Sequence, residues 1–527
     1  MRHYILFLIA IFSLCLTSCR DDFEFEPGNG TLEFSKDTVY LDTVFTNIGS
    51  STYTLKVYNR SDKNIKIPSL KLGQGNESKY RLMVDGIPGR VFNDIELLAK
   101  DSMFVFIETT IDYSEYENEE STFLYTDRIE FDSGDNLQTV ELVTLVQDAI
   151  FIKPDRPLPT DMKETLTING VPQDSLFGHE LATPEELHWT NEKPYVVYGY
   201  ALVPNGKMLT IDAGTRVHFH AESGLIVDNT GIIKINGALS TTEEMENEVI
   251  FEGDRLEPGF ADVPGQWTGV RIFSGSTENS INYLTLKNAV VGLFIVRIDE
   301  DTEPFVNITN SQFYNCSAIG LLGRHATITG NNIVANNCGM ASIALTQGGN
   351  YDFKHCTFAN YFNSFEQVPL AVNDYYEDPF DEVVYVSDLN ARFDNCIMYG
   401  SSNYALSMER VSDGAAAFTT TFNHCFIKLH DFTNQLENED LYPFSGNDPA
   451  QANYHDCIYA ENSNRTADFW DPQNNDLRIG LDSDAKDQAD ADVSALVPAD
   501  ITGTARGTDG SPDIGAYEAT AIPEGED

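Results

Sequence analysis

Positive charge is scarce in this chain. Its 527 residues hold 33 Lys and Arg against 82 Asp and Glu, a formal net charge of −49. A surface so acidic repels nucleic acid and anionic membrane faces, and it disfavours polyanionic glycans unless cations bridge the two. Cysteine is scarce too. Two of the eight fall at Cys15 and Cys19, and the other six lack the CxxC or Cys/His spacing of a zinc site. No stretch keeps a helical period, which argues against an α-rich fold. No Ser-His-Asp arrangement, phosphate-binding Gly loop or dinucleotide signature is present. Beyond the first eighteen residues no apolar run is long enough to cross a membrane.

What the chain does have is one recurring phrase between Leu286 and Cys457. An apolar or aromatic residue is followed three positions later by Ala or Cys, with a polar residue just before. The copies are Leu286-Lys-Asn288-Ala289, Phe313-Tyr-Asn315-Cys316, Ala335-Asn-Asn337-Cys338, Phe353-Lys-His355-Cys356, Phe393-Asp-Asn395-Cys396, Phe422-Asn-His424-Cys425 and Tyr454-His-Asp456-Cys457. Their polar members, at 288, 315, 337, 355, 395, 424 and 456, lie 27, 22, 18, 40, 29 and 32 residues apart. The short intervals suit one coil of three short strands, and the long ones a coil with an inserted loop. Such a coil cannot bury its own apolar face, so coils must stack and share a core. Stacking at ~4.8 Å places equal positions above one another. The Phe, Asn/His and Cys positions are then each expected to form a column. Asn suits the bends between strands and can bond to the next coil. The six cysteines are expected to pack as small buried thiols, with neighbours near enough to bridge as the alternative.

These residues resemble a right-handed parallel β-helix of the pectate-lyase-like superfamily. The similarity extends upstream through Trp189-Thr190, Leu209-Thr-Ile-Asp-Ala-Gly-Thr-Arg-Val-His-Phe219 and Gln266-Trp267-Thr-Gly-Val-Arg-Ile272, and downstream to the closing Asp513-Ile-Gly-Ala-Tyr-Glu518. It implies an all-β fold class with a solenoid over residues 185–518. That scaffold carries lyases, hydrolases, epimerases and adhesins, so it does not specify an activity. The polygalacturonase-type enzymes on it carry a Gly-His-Gly motif, which this chain lacks.

Residues 1–18 read as a secretion signal: Arg2 and His3, then the apolar run Tyr4 to Leu16. Leu16-Thr17-Ser18-Cys19 resembles the bacterial lipobox. The resemblance implies that Cys19 is lipidated and that its acyl chains are the membrane contact of an outer-membrane lipoprotein. Arg20-Asp21-Asp22 resembles the signal that sends such proteins to the cell surface. A tether over 19–30 follows. Residues 31–151 alternate apolar and polar between turn signals, as in Tyr53-Thr-Leu-Lys-Val-Tyr58 and Thr139-Val-Glu-Leu-Val-Thr-Leu145, which predicts a β-sandwich spacer. Asp42-Thr-Val-Phe45 with Val57-Tyr-Asn59 resembles an Ig-like module. Residues 152–184 are expected to be a linker and 519–527 an acidic tail. Thr183-Pro-Glu-Glu-Leu187 predicts one helical turn with Thr183 as N-cap.

Two insertions, 366–388 and 430–451, pair aromatics with acids. Asp374, Tyr375, Tyr376, Glu377 and Tyr442 are the candidate ligand-binding residues there, since rings stack on sugars and carboxylates accept hydroxyl hydrogen bonds. Candidate catalytic residues are Lys354 and Lys287, expected on one face, with Asp394. His218 and His220 alternate on one strand and could hold a metal, and Asp482, Asp484 and Asp487 resemble a loop site for calcium, the possible cofactor. Three readings stand: a surface protein that binds glycan or another extracellular ligand without catalysis, a polysaccharide lyase or glycoside hydrolase, or a passive structural surface protein.

Overall fold

The computed structural model describes residues 24–522 apart from 29–30, 117–121, 156–163, 274, 276, 298–302, 379–382, 412–413, 415, 433, 437–438, 444–452 and 462–463. The secretion signal, the lipobox with Cys19, and residues 523–527 of the expected tail lie outside the described residues. The chain is all-β with large parallel sheets, and it divides into two compact units between Asp148 and Ala149.

In the first unit, strict alternation makes two-faced strands. Gln138–Gln147 turns Val140, Leu142 and Val146 inward and leaves Glu141 exposed. A mixed sheet carries Ile65–Leu72, Thr122–Phe131, Gln138–Gln147 and Thr38–Phe45, and an antiparallel sheet carries Tyr53–Tyr58, Ser102–Thr109 and Tyr80–Val84. Both sheets contribute to one apolar cluster that includes Val39, Leu55, Tyr80, Val105, Ile129 and Leu142.

The second unit is built from three ladders of parallel strands. One starts at Ile150–Ile152 and runs through Tyr195–Val197, Arg216–Phe219 and Val249–Gly253 to Ile458–Ala460. Along it Val217, Phe251, Leu286, Phe313, Ala335, Phe358, Met398 and Ile427 form one inward column. A second ladder stacks Ile235, Ile281, Ile308, Gly330, Phe353, Phe393, Phe422 and Tyr454. Its last four rings lie face to face at 5.6, 5.0 and 4.8 Å, tilted by no more than 10°. A third ladder stacks Leu225, Val270, Leu293, Leu321, Ile343, Leu370 and Leu406. Each buried aliphatic or aromatic side chain in such a column contributes about 1.5–3 kcal/mol.

The recurring phrase occupies two corners of the stack, not one. Asn288, Asn315 and Asn337 follow strands of the first ladder, whereas His355, Asn395, His424 and Asp456 follow strands of the second. Every one has a left-handed φ between 46° and 66°, where Asn, Asp and His are tolerated and a small inward residue can follow. Tyr283, Asn310 and Asn332 share the second corner. Its true repeat is therefore 283, 310, 332, 355, 395, 424 and 456, and the 18-residue interval is a step from one corner to the other. The cysteines accordingly split into Cys316 and Cys338 at one corner and Cys356, Cys396, Cys425 and Cys457 at the other. All six are free thiols, five of them buried. The expected Asn bonding between coils is present at Asn332 to Asn310 (2.9 Å) and Asn310 to Asn282 (3.0 Å).

Three boundaries differ from expectation. The segment taken as a linker, 152–184, carries the hairpin Thr165–Ile168 and Val171–Glu180, whose end pairs with Tyr200–Val203. It joins the second unit because its apolar residues Leu166 and Leu181 are buried there. At the other end the ladders stop at Ala460, and residues 464–520 instead lay Ile479, Ala485, Ile514 and Ala519 over outward residues Ile397 and Phe426. Ala519 is therefore buried and not part of a solvated tail. The turn at Thr183 forms as expected: Glu186 N–H donates to Thr183 Oγ1 (3.3 Å), and the Glu186 carboxylate accepts from the N–H groups of Thr183 (2.9 Å) and Ala182 (3.0 Å).

Candidate functional site

One cleft lies at the corner that joins the first ladder to the third, among the first strands of the second unit. It encloses about 970 Å³ and is lined by Phe177, Tyr198, Tyr200 and His220, with Lys153, Asp155 and Glu222 at its polar positions. Two consecutive corner loops supply it, Tyr198–Gly199 and His220–Glu222. Gly199 has φ +72°, and a Cβ there would meet Phe177 O at 2.7 Å, so the backbone approach that shapes the cleft admits only glycine. The Tyr198 ring stacks on the His220 imidazole at 4.3 Å and 24°. His220 Nδ1 lies 2.8 Å from Asp254 Oδ2, and Tyr200 OH donates to Thr268 Oγ1 at 3.1 Å. Burial, then the Asp254 carboxylate, pushes the Tyr198 phenol up to about 12, so it stays a neutral donor. The cleft thus offers rigid aromatic faces beside hydrogen-bonding carboxylates, the composition of a site for a hydroxyl-rich ligand.

Of the residues singled out in the sequence only His220 lines this cleft, and none of the candidate catalytic or ligand-binding residues does. Tyr375–Glu377 forms a small hairpin with Val384–Val386, where Tyr375 OH donates to Glu409 (2.6 Å) and Tyr376 lies under the Arg324 guanidinium at 3.9 Å. Asp374 is buried and accepts from Val411 N–H at 2.9 Å, so it holds its own loop. Glu377 closes the hairpin opposite Val384. Asp381 and Glu382 lie outside the described residues. Tyr442 turns inward: it is 7% exposed, its OH accepts from Met408 N–H at 2.9 Å, and with Leu436 and Leu441 it packs on the core. An open stack must be capped, and that need places the aromatic inside.

Lys287 and Lys354 do not share a face. Lys287 ends a strand of the first ladder and pairs with Glu252 at 3.0 Å, while Lys354 ends a strand of the second and pairs with Asp352 at 2.5 Å. Lys354 is the register partner of Asp394, as the pairing of Lys and Asp on one face requires. Asp394, however, is 1% exposed and accepts from Arg392 Nε at 2.7 Å, which keeps it from a polymeric substrate. His218 and His220 also part company: His218 is buried 3.6 Å from Glu252, and burial holds its imidazole below the usual range.

Asp482, Asp484 and Asp487 do not converge. Asp484 accepts from Thr466 N–H (2.7 Å), Asp487 accepts from Ser511 N–H (2.8 Å) and pairs with Lys486 (3.0 Å), and Asp482 donates its N–H to Asp468 (3.3 Å). Each serves a separate turn of the C-terminal segment. Among the described residues no three His, Cys, Asp or Glu side chains gather in a metal-binding group.

No protein-family description matches the chain, and no curated protein matches it. Solved structures it matches include the periplasmic chaperone SfaE, at 14% identity and TM-score 0.15 over 22% of this chain and 57% of that one. A family 123 glycoside hydrolase from Clostridium perfringens matches at 8% identity and TM-score 0.16 over 23% and 29%, and the ASH/PapD-like domain of human CEP192 at 12% and 0.15 over 24% and 89%. The chain thus spans 57% and 29% of the first two, and likenesses at these scores carry no argument about fold or activity.

Proposed function

We propose that the chain is a lipid-anchored protein of the outer membrane, exposed at the cell surface, that binds an extracellular glycan without catalysis. In this reading residues 31–148 are an Ig-like β-sandwich spacer and residues 149–460 wind as a right-handed parallel β-helix. Three ladders in which each strand pairs with the strand one coil on support the helix. Two sheets around one core support the sandwich. The lipobox-like Leu16-Thr17-Ser18-Cys19 supports the anchor.

The observation that carries the binding reading is the cleft around Tyr198, which combines aromatic walls with the acidic positions Asp155 and Glu222. Affinity electrophoresis of the protein through gels cast with single polysaccharides tests it. Retardation by at least one glycan, weakened in Phe177→Ala and Tyr198→Ala, is the expected result, and retardation indifferent to both substitutions removes the cleft from the account. A reducing-end assay on the same polysaccharides, with and without calcium, tests the second half. Release above background would make the protein a hydrolase or an endo-acting lyase.

A further inference from the structure

We propose a second ligand site, for an uncharged saccharide, in the cleft between the corner loops 361–367 and 401–403. It is independent of the cleft at Tyr198 and lies on the same kind of corner several coils further along. Strand Thr357–Asn360 leads into the first loop and Ile397–Gly400 into the second, and these two strands are register neighbours. Gln473, from the turn Pro472–Asn474 of the C-terminal segment, closes one side. The cleft encloses about 610 Å³, within the range of small-molecule sites, roughly 300–1,000 Å³.

Its chemistry stands apart from the rest of the molecule. Among the described residues no lining side chain is charged, in a chain where 22% of residues are charged and the net charge is −49. The walls are amides and hydroxyls, among them Asn363, Asn403, Ser401 and Ser402, together with aromatic rings. Amides and hydroxyls both donate and accept, which matches the alcohol groups of a sugar and leaves an ion without a counter-charge. Phe365 stands fully exposed at the tip of the first loop. A large apolar ring held out in water at the lip of a polar cleft is the platform on which the apolar face of a sugar ring stacks.

A second observation points into the same cleft. Gln367 is 2% exposed and lines it; its Nε2 donates to Ser401 Oγ at 2.8 Å, but its buried Oε1 has no hydrogen-bond partner among the described residues. Buried polar atoms in folded proteins are nearly always paired. Whichever way the amide is turned, one of its two polar atoms is left without a protein partner in the wall of the cleft. The loop that carries these groups is fixed at its root. Asn360 Oδ1 accepts from the N–H groups of Cys338 (3.2 Å) and Phe362 (3.1 Å), while its Nδ2 donates to Cys338 O (2.8 Å) and Val368 O (3.3 Å). A loop pinned at both ends presents Phe365 and Gln367 with little ordering left to be done on binding.

The test is isothermal titration of the full chain in a zwitterionic detergent with cellohexaose, xylohexaose, mannohexaose and maltohexaose, and with hexagalacturonate as the charged counterpart. At least one neutral hexaose is expected to bind, with an affinity unchanged between low salt and about 0.5 M salt, because no ion pair is made. Phe365→Ala, at a fully exposed position, is expected to keep the native melting temperature and to weaken binding about tenfold or more. Tyr198→Ala should leave this binding intact. Binding of no neutral hexaose, binding of hexagalacturonate alone, or full affinity in Phe365→Ala overturns the proposal. Loss in Tyr198→Ala with none in Phe365→Ala overturns this site while leaving the Tyr198 cleft as the binding site.

Discussion

Arg506 and Glu518 pair at 3.1 Å with side chains only 1% and 4% exposed, inside the C-terminal segment that closes over the outer corner of the stack. Arg506 also donates to Asn332 Oδ1 at 2.8 Å and Gly515 O at 3.1 Å, and Glu518 accepts from the N–H groups of Gly507 at 2.8 Å and Asp513 at 3.0 Å. Burial pushes the Glu518 carboxyl up and the Arg506 guanidinium down, so desolvation outweighs the attraction of the pair. The bridge therefore fixes where the segment docks more than it adds net stability. Removing one partner leaves a buried charge: Arg506→Met or Glu518→Leu should cost about 3–5 kcal/mol, measured by denaturant unfolding of the second unit. The double change Arg506→Met with Glu518→Leu should cost less than the sum of the singles. A simple sum would show that the pair is not coupled.

The pH response of the turn at Thr183 follows from Glu186. Burial raises its carboxyl, but the N–H of Thr183, the His179 ring and the N–H of Ala182 together hold it down at about 2. A depressed carboxylate contributes stability that is present above its unfolded value of about 4.3 and is lost as pH falls through about 2. His179, opposed by burial but raised by Glu186 and Glu164, adds stability present below its ordinary 6.5 and lost as pH climbs past its folded value. Glu186→Gln should therefore lower the melting temperature most near pH 5. The difference from the native chain should close toward pH 2 and narrow at alkaline pH. A pH-independent difference would sink the assignment.

How far this was legible in the sequence differs from element to element. Period-two alternation marks Gln138–Gln147 as a two-faced strand, and the recurring phrase marks stacked coils. The phrase could not tell its two corners apart, because its copies at both carry the same pair of residues, one at a left-handed φ and then a small one turned inward, while Tyr283-Leu284 and Asn332-Ile333 at the second corner have a large residue there and escape it. Tyr442 looked like a loop ligand because acids surround it, yet Leu436 and Leu441 beside it were a signal that the insertion packs on the core. The Tyr198 cleft draws on Phe177, Tyr198 and His220, and nothing local ties those positions together. The second cleft did leave a trace. Tyr361-Phe-Asn-Ser-Phe365 and Ser401-Ser-Asn403 are uncharged aromatic and polar runs in an otherwise acidic chain.

The thiol columns make a prediction about reactivity. Burial pushes the Cys396 and Cys425 thiols far above the ordinary range, and thiolates rather than thiols react. Cys457, at the end of the column, is the one partly buried member among the described cysteines; its thiol is pushed up as well, by its hydrogen bond to Cys425 and then by burial, so access rather than acidity sets it apart. Alkylation of the native protein followed by peptide mass mapping should label Cys457 first and leave Cys316, Cys338, Cys356, Cys396 and Cys425 unmodified until denaturant is added. Uniform labelling of all six would mean that the coils open together on the timescale of the reagent.

Asn395 carries two demands at once, and two substitutions separate them. It sits at φ +53°, fully buried; its Oδ1 accepts from Asp490 N–H at 2.8 Å, and its Nδ2 meets His355 Nε2 at 2.9 Å and donates to Asp490 O at 3.0 Å. Asn395→Ala loses those bonds and keeps a Cβ in the left-handed region without the polar side chain that compensates for it, which costs roughly 1–2 kcal/mol. Asn395→Gly loses the same bonds without that strain, leaving the backbone groups of Asp490 short of partners at about 1–3 kcal/mol. Both variants should therefore be destabilised, with glycine the milder of the two by up to about 1 kcal/mol once its greater freedom in the unfolded chain is offset. If alanine were the milder, the corner would not be held in the left-handed conformation, and the preference for Asn, Asp and His along it would need another cause.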